Sequence, residues 1–188
     1  MAQPALFLIN LIIILVLQPH PDELNYVSYP ESKSVYDYGF SRSQGKLYWK
    51  GQVFNGKLES VFANGQKAMI SNYLNGKENG TTVTFYPNGI KATERHFQNG
   101  KKYGEAKGWW PNANLKFISH YETDFYEGNV KEWYENGRLF KDFNYVDGQE
   151  IGWQRAWKSD GRVKANYVVK DGRRYGLTGV KNCQSVQE

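Results

Sequence analysis

GNVKEWYENGRLFKDFNYVDG, residues 128–148, joins a short segment with an aromatic end (129–134), an Asn136-Gly137 pair, an alternating segment (138–145) and an Asp147-Gly148 pair. Two such runs divided by Asn-Gly and closed by Asp-Gly predict a β-hairpin that feeds directly into another. The unit recurs on both sides. Glycines stand at 56, 80, 104, 128, 152 and 176, each 24 residues after the last. First-turn pairs keep that phase at Asn64-Gly65, Asn88-Gly89, Asn136-Gly137 and Asp160-Gly161, with Asn112-Ala113 in the remaining slot. Second-turn pairs follow at Asn75-Gly76, Asn99-Gly100, Asp147-Gly148 and Asp171-Gly172, with Thr123-Asp124 as the departure. Between the turns, one slot holds Phe85, Trp109, Trp133 and Trp157, and another holds Trp49, Tyr73, Phe97, Tyr121, Tyr145 and Val169.

A strict period of this length defines a repeat architecture, in which a unit that cannot bury its own apolar surface relies on its neighbours. The expected fold is all-β: an elongated, meandering antiparallel sheet of about five to six hairpins, roughly 50–60 Å long at about 4.8 Å per strand. Asn-Gly and Asp-Gly predict type I′ turns, with positive φ at both central residues, and the repeating glycines are read as turn residues. A local bend is expected in mid-sheet, where Ala113 and Thr123-Asp124 break the pattern.

Ahead of the repeat, Leu6 to Leu17 is apolar except for Asn10. Its 12 residues span only about 18 Å as a helix, short of the ~30 Å hydrocarbon core. Residues 1–21 are therefore read as a signal peptide or N-terminal membrane anchor, and the protein as exported to the periplasm or medium, or tethered to the membrane. No Lys or Arg precedes the segment, and no small-x-small cleavage site follows it. Residues 22–45 are out of phase and read as an irregular cap or linker. Its aromatics (Tyr26, Tyr29, Tyr36, Tyr38, Phe40) are expected in part to pack over the first hairpin and shield the open sheet edge. The repeat domain is placed at 46–182, with a tail at 183–188.

The net charge of +5 is spread along the repeats without a basic cluster, which argues for an evenly solvated surface and against a nucleic-acid partner. No nucleophile elbow, phosphate-cradling loop or paired-carboxylate pattern is present, so no enzyme activity, small-molecule substrate, metal or cofactor is expected. His96 and His120 share a slot, but residues one period apart lie about 9.6 Å apart along a sheet, too far for one zinc. Cys183, the single cysteine, is a candidate for redox chemistry or an intermolecular disulfide in an exported protein. Trp109, Trp133 and Trp157, with Tyr86 and Tyr134 beside them, form an aromatic stripe. It serves either to cover one face of a thin sheet or to bind a partner, and it is the candidate binding surface.

The pattern G-x-x-x-x-W-Y-x-N-G-x-L of Gly128 to Leu139, echoed at 80–97 and 152–169, resembles the MORN-repeat variant (membrane occupation and recognition nexus) of many bacterial proteins. The resemblance spans roughly residues 46–182. It implies an elongated β-sheet that contacts proteins or lipids, and bacterial members commonly carry an antitoxin label. Three functions follow as expectations. The leading one is a non-enzymatic scaffold that binds an unknown protein partner in the cell envelope. The alternatives are a peripheral module on an anionic membrane surface and an antitoxin-like cytosolic inhibitor.

Overall fold

A computed structural model describes residues 32–34 and 38–179. The export segment, Tyr26, Tyr29, Tyr36 and Cys183 lie outside the described residues. Four short strands open the chain: β1 (Ser32–Ser34), β2 (Phe40–Ser43), β3 (Lys46–Trp49) and β4 (Gln52–Val53). Five long hairpins follow, alternating with two-residue strands. They are β5 (Gly56–Val61) with β6 (Lys67–Leu74), then β7 (Lys77–Glu78); β8 (Gly80–Phe85) with β9 (Lys91–Gln98), then β10 (Lys101–Lys102). The third is β11 (Gly104–Trp109) with β12 (Leu115–Glu122), then β13 (Phe125–Tyr126). The last two are β14 (Gly128–Trp133) with β15 (Leu139–Val146), then β16 (Gln149–Glu150), and β17 (Gly152–Trp157) with β18 (Val163–Lys170), closed by β19 (Arg173–Leu177). The long strands form one meander in chain order, antiparallel throughout except for β1, which adds in parallel to the outer edge of β5. The fold is therefore the expected all-β meander of successive hairpins.

Every hairpin has the same register. The leading glycine pairs with the aromatic slot: Gly56 with Tyr73, Gly80 with Phe97, Gly104 with Tyr121 and Gly128 with Tyr145. These glycines are strand residues and not, as the spacing suggested, turn residues. Their backbone is in the left-handed region, with φ of 92°, 70° and 74° at Gly80, Gly104 and Gly128, which glycine adopts without strain.

The two turns differ, which corrects the expectation of type I′ geometry at both. At the second turns both central residues have positive φ, as in Asn75 (52°) and Gly76 (75°), and Asp147 (49°) and Gly148 (74°). At the first turns only the second residue does, as in Gly65 (81°) and Gly137 (80°). There the Asn or Asp side chain has another use. Its Oδ1 accepts the backbone N–H two residues on, at 3.1 Å from Gln66 to Asn64, 3.1 Å from Ile90 to Asn88 and 3.0 Å from Arg162 to Asp160. This side-chain mimic of a turn holds the Asn itself in ordinary negative-φ space.

The departures at Ala113 and Thr123-Asp124 leave the pairing unchanged: β11 and β12 pair with the same register, and the same single shift, as the other four hairpins. Neighbouring pairs hold the departing residues in the required conformation, Ala113 at φ 67° and Thr123 and Asp124 at 51° and 75°. Left-handed backbone costs an L-residue about 1–2 kcal/mol, against about 0.5–1 kcal/mol of extra unfolded-state entropy for glycine. Ala113→Gly is therefore expected to raise the thermal unfolding midpoint by about 1–3 °C. An unchanged or lower midpoint would show that the turn is not strained.

Junctions between hairpins are narrower than the hairpins themselves. β6 and β8 pair only at Met69–Thr84 and Ile70–Val83, and β15 and β17 only at Lys141–Ala156 and Asp142–Arg155. Beyond those pairs the strands splay, and a two-residue strand enters the gap on the second-turn side. Side chains hold the first-turn side. Asn64 Nδ2 donates to the Pro87 carbonyl at 3.0 Å, Asn88 to Pro111 at 2.9 Å and Asn112 to Glu135 at 3.1 Å. This ladder links each first turn to the next.

At the N-terminal end, β2, β3 and β4 form a separate small sheet. It is seated by the Leu47 N–H on the Gly76 carbonyl (2.7 Å) and by a core of Leu47, Phe54, Leu58 and Tyr73, with Phe40, Trp49 and Met69 against it. β2 lies on the cap side of the boundary drawn at residue 45, yet it pairs along its whole length with β3. The apolar cluster needs Phe40 from one and Leu47 from the other.

Candidate functional site

Alternation along the strands sorts the side chains onto two faces. One face carries the buried rings. Across it, cross-strand pairs within the hairpins set Thr82 opposite Arg95, Ala106 opposite Ser119 and Val130 opposite Phe143. The opposite face carries the tryptophan stripe.

Trp109, Trp133 and Trp157 end their first strands, directly opposite Leu115, Leu139 and Val163, and each is half-buried. Lys91 Nζ lies 5.3 Å from the ring centre of Trp109. Tyr86 and Tyr134, also half-buried, have their polar tips engaged. The Tyr86 hydroxyl donates to the Trp109 carbonyl and that of Tyr134 to the Trp157 carbonyl, both at 2.9 Å, while Trp110 Nε1 donates to Trp133 at 3.0 Å. These three side chains clip the second hairpin to the third, the third to the fourth and the fourth to the fifth.

The most exposed large apolar side chains of the sheet's far end are elsewhere. Trp153 and Tyr175 are 54% and 56% exposed, and both stand directly opposite Val168 in adjacent strands. Leu177 and Ile151 are exposed nearby, and Arg155 lies 5.4 Å above the Trp153 ring. Sequence reasoning passed over this strip, although a signal exists. The slot of Trp153 and Leu177 holds Thr81, Glu105 and Asn129 in earlier repeats, so two large apolar residues there break the pattern.

On the ring face, the two-residue strands insert one side chain between successive rings. Tyr126 stacks between Tyr121 (4.8 Å) and Tyr145 (5.2 Å), and burial together with the Tyr121 hydrogen bond and nearby charges pushes its phenol well above the ordinary range. Lys102 Nζ lies 5.1 Å over Tyr121. Lys141 Nζ donates to Glu132 Oε1 at 3.1 Å; burial pulls its pKa down, but the hydrogen bond and charge of Glu132 outweigh that and leave it raised.

Glu150 Oε2 accepts the Tyr167 hydroxyl at 2.8 Å and Arg174 Nε at 3.1 Å. Burial, aided by the Glu150 hydrogen bond and charge, pushes Tyr167 up to about 12. A phenol whose folded pKa lies above its unfolded value of about 10 contributes stability in full below pH ~10, and loses it as pH rises through the folded value. The unfolding midpoint is expected to fall from about pH 10 upward, less steeply in Tyr167→Phe than in the parent chain. Identical slopes would remove Tyr167 from the account.

Among the hollows on this face, two adjoin buried polar groups. One, of about 430 Å³, lies under the N-terminal sheet between Phe40, Arg42, Leu58, Met69, Tyr73 and Glu78. The other, of about 180 Å³, lies in mid-sheet around Ser119. His96 and His120 sit on the opposite face, one intervening strand apart, and the His96 ring is hydrogen-bonded to Thr81 Oγ1 at 3.0 Å. Among the described residues, no group of three or more His, Cys, Asp or Glu side chains is placed to hold a metal ion, and no helix is long and apolar enough to cross a membrane.

A single-layer β-hairpin repeat with a ring-covered face and an aromatic-striped face is thus the class of protein that the geometry defines. Residues 78–99 and 126–147 match the MORN repeat variant, so the chain carries repeats of that type, in register with the 24-residue period. The hairpin between these two stretches has the same pairings. The repeat type is non-enzymatic and generally mediates protein or membrane interactions. No curated protein matches the chain.

Proposed function

We propose that this chain is a non-enzymatic binding scaffold of the cell envelope, exported or held at a membrane by residues 1–21, whose sheet presents its C-terminal end to another protein. The observation that carries this reading is the strip in which half-buried Val168 stands between exposed Trp153 and Tyr175, three apolar side chains in direct cross-strand register on a face with no second layer among the described residues. Contiguous exposed apolar area of this kind is unfavourable in water and marks an interaction surface, and Trp and Tyr are enriched where interfaces draw most of their energy. The apolar run at 6–17 supports export.

A photo-crosslinking amino acid placed at residue 153 in cells tests the reading. Discrete protein adducts, lost on Tyr175→Ala and absent when the same group replaces Lys131, are expected. A second reading has its own observation: cations lie over exposed-face rings, Arg155 over Trp153 and Lys91 over Trp109, an arrangement suited to anionic headgroups. Lipid adducts alone, together with salt-sensitive binding to anionic vesicles, would replace the scaffold by a membrane-surface module. No adduct of either kind would overturn both.

A further inference from the structure

The mid-sheet hollow on the ring face has an unsatisfied group at its floor. Ser119 is 2% exposed, and among the described residues its Oγ has no hydrogen-bond partner. A buried hydroxyl left unpaired is costly, and nearly all such groups in folded proteins are satisfied. The equivalent serine two repeats earlier shows what satisfies this slot. Ser71 Oγ donates to the Glu78 carboxylate at 2.9 Å and shares a 2.8 Å contact with Thr82 Oγ1, which also donates to Glu78 at 3.1 Å. At the third hairpin both partners are replaced. Tyr126 occupies the slot of Glu78 and is committed to its ring stack, and Val130 stands beside Ser119 where Thr82 stands beside Ser71.

Small residues open the space. Ala106 is directly opposite Ser119, and Phe117 lies flat over Gly108, where an added Cβ would come within 2.1 Å of its ring. The hollow that remains is walled by Phe117, Tyr121, Tyr126 and Glu132 and bounded by Arg95. Among the described residues Arg95 forms no ion pair; its guanidinium makes a 3.3 Å contact with Thr93 Oγ1 and lies 5.9 Å from the Phe117 ring centre. Glu132 is already held by Lys141 at 3.1 Å, and Lys102 lies over Tyr121, so the charge left at the hollow is positive.

We propose that this hollow binds a carboxylate of a partner polypeptide, with the Ser119 hydroxyl and the Arg95 guanidinium as donors and the rings of Phe117 and Tyr121 packing against the attached carbons. The proposal rests on the reading of the sheet as a protein-binding scaffold. The ligand group does for Ser119 what Glu78 does for Ser71. The volume admits one side chain or one chain terminus, and charge-assisted hydrogen bonds from an Arg fork are among the stronger ones available to a carboxylate.

Titration of the isotope-labelled full chain by NMR tests it with three probes. N-acetyl-glutamic acid α-amide carries only a side-chain carboxylate, N-acetyl-glutamine only a terminal one, and N-acetyl-glutamine amide neither. Saturable shifts of the Ser119 amide and the Arg95 Nε–H are expected with the first two and not with the third, and the tighter of the two identifies the source of the carboxylate. Arg95→Gln is expected to weaken binding at least about tenfold. Ser119→Ala is expected to weaken it several-fold without lowering the unfolding midpoint, since it removes an unpaired hydroxyl. Equal shifts from all three probes, or none from any, would overturn the proposal and leave the hollow to solvent. Crosslinking from residue 153 on the opposite face is independent of that outcome, so failure here and failure of the scaffold reading are separable.

Discussion

Gln154→Leu is expected to destabilise the protein by about 2–4 kcal/mol, a larger loss than most single substitutions cause. Gln154 is completely buried, and its amide stands in for a missing piece of β-ladder. Backbone pairing between β15 and β17 stops at Asp142–Arg155. Beyond it, Gln154 Oε1 accepts the Asn144 N–H at 3.0 Å, and Nε2 donates to the carbonyls of Asn144 and Ile151, both at 2.9 Å. Leucine fills nearly the same volume but strips the Asn144 N–H and the Ile151 carbonyl of their Gln154 partner, and leaves the Asn144 carbonyl with the Ile151 N–H alone, at a junction only two residue pairs wide. In a nearest-neighbour repeat array the damage stays local, so hydrogen-exchange protection should fall in β17, β18 and β19 while β5 to β12 keep theirs. A urea midpoint unchanged from the parent would show that water replaces the amide at no cost.

Gly108→Val produces the second large effect, about 2 kcal/mol of destabilisation, by a different mechanism. The φ of Gly108 is not in the left-handed region, so valine's backbone preference for strand is no obstacle. The obstacle is steric: a Cβ there would lie 2.1, 2.5 and 2.8 Å from three atoms of the Phe117 ring. Replacing glycine in a strand gains about 0.5–1 kcal/mol of chain entropy, less than the cost of forcing the ring aside. Phe117→Ala in the same chain should recover much of the loss, giving a coupling of about 1 kcal/mol or more in a double-mutant cycle. Additive effects would mean that the ring does not block the site.

Hairpin identity and strand order were legible because turn chemistry and alternation are local. Asn-Gly and Asp-Gly pairs reverse the chain at the hairpin turns, though not at Asn79-Gly80, where β7 and β8 both run antiparallel to β6, and a 24-residue phase sets each hairpin beside the next. Positions of positive φ were legible only in part. An Asn before Gly takes positive φ when its side chain is idle, as at Asn99, and keeps negative φ when its Oδ1 accepts the N–H two residues on, as at Asn88. The dipeptide is the same in both places; the difference is loop length, two residues between Gln98 and Lys101 and five between Phe85 and Lys91.

The aromatic stripe could be found by slot comparison, but its exposure could not. Tyr86 and Tyr134 looked available from spacing alone, whereas each hydroxyl reaches a carbonyl in the next hairpin. Trp153, with Leu177 one of two apolar departures in a polar slot, is among the most exposed of the large side chains. Ser119 illustrates the same limit on the other face, since its slot-mate Ser71 is satisfied.

By itself, then, the sequence determined that this protein is an all-β meander of hairpins with a fixed repeat, because period, turn residues and alternation act within a few residues of one another. Only the tertiary structure decided which side chains became clips between repeats, which stayed exposed, and where a buried donor was left over. Those outcomes depend on what stands on the neighbouring strand, 7 or 11 residues away for the serines and 23 for the clips, and on whether the side chain there is Glu or Tyr, Thr or Val.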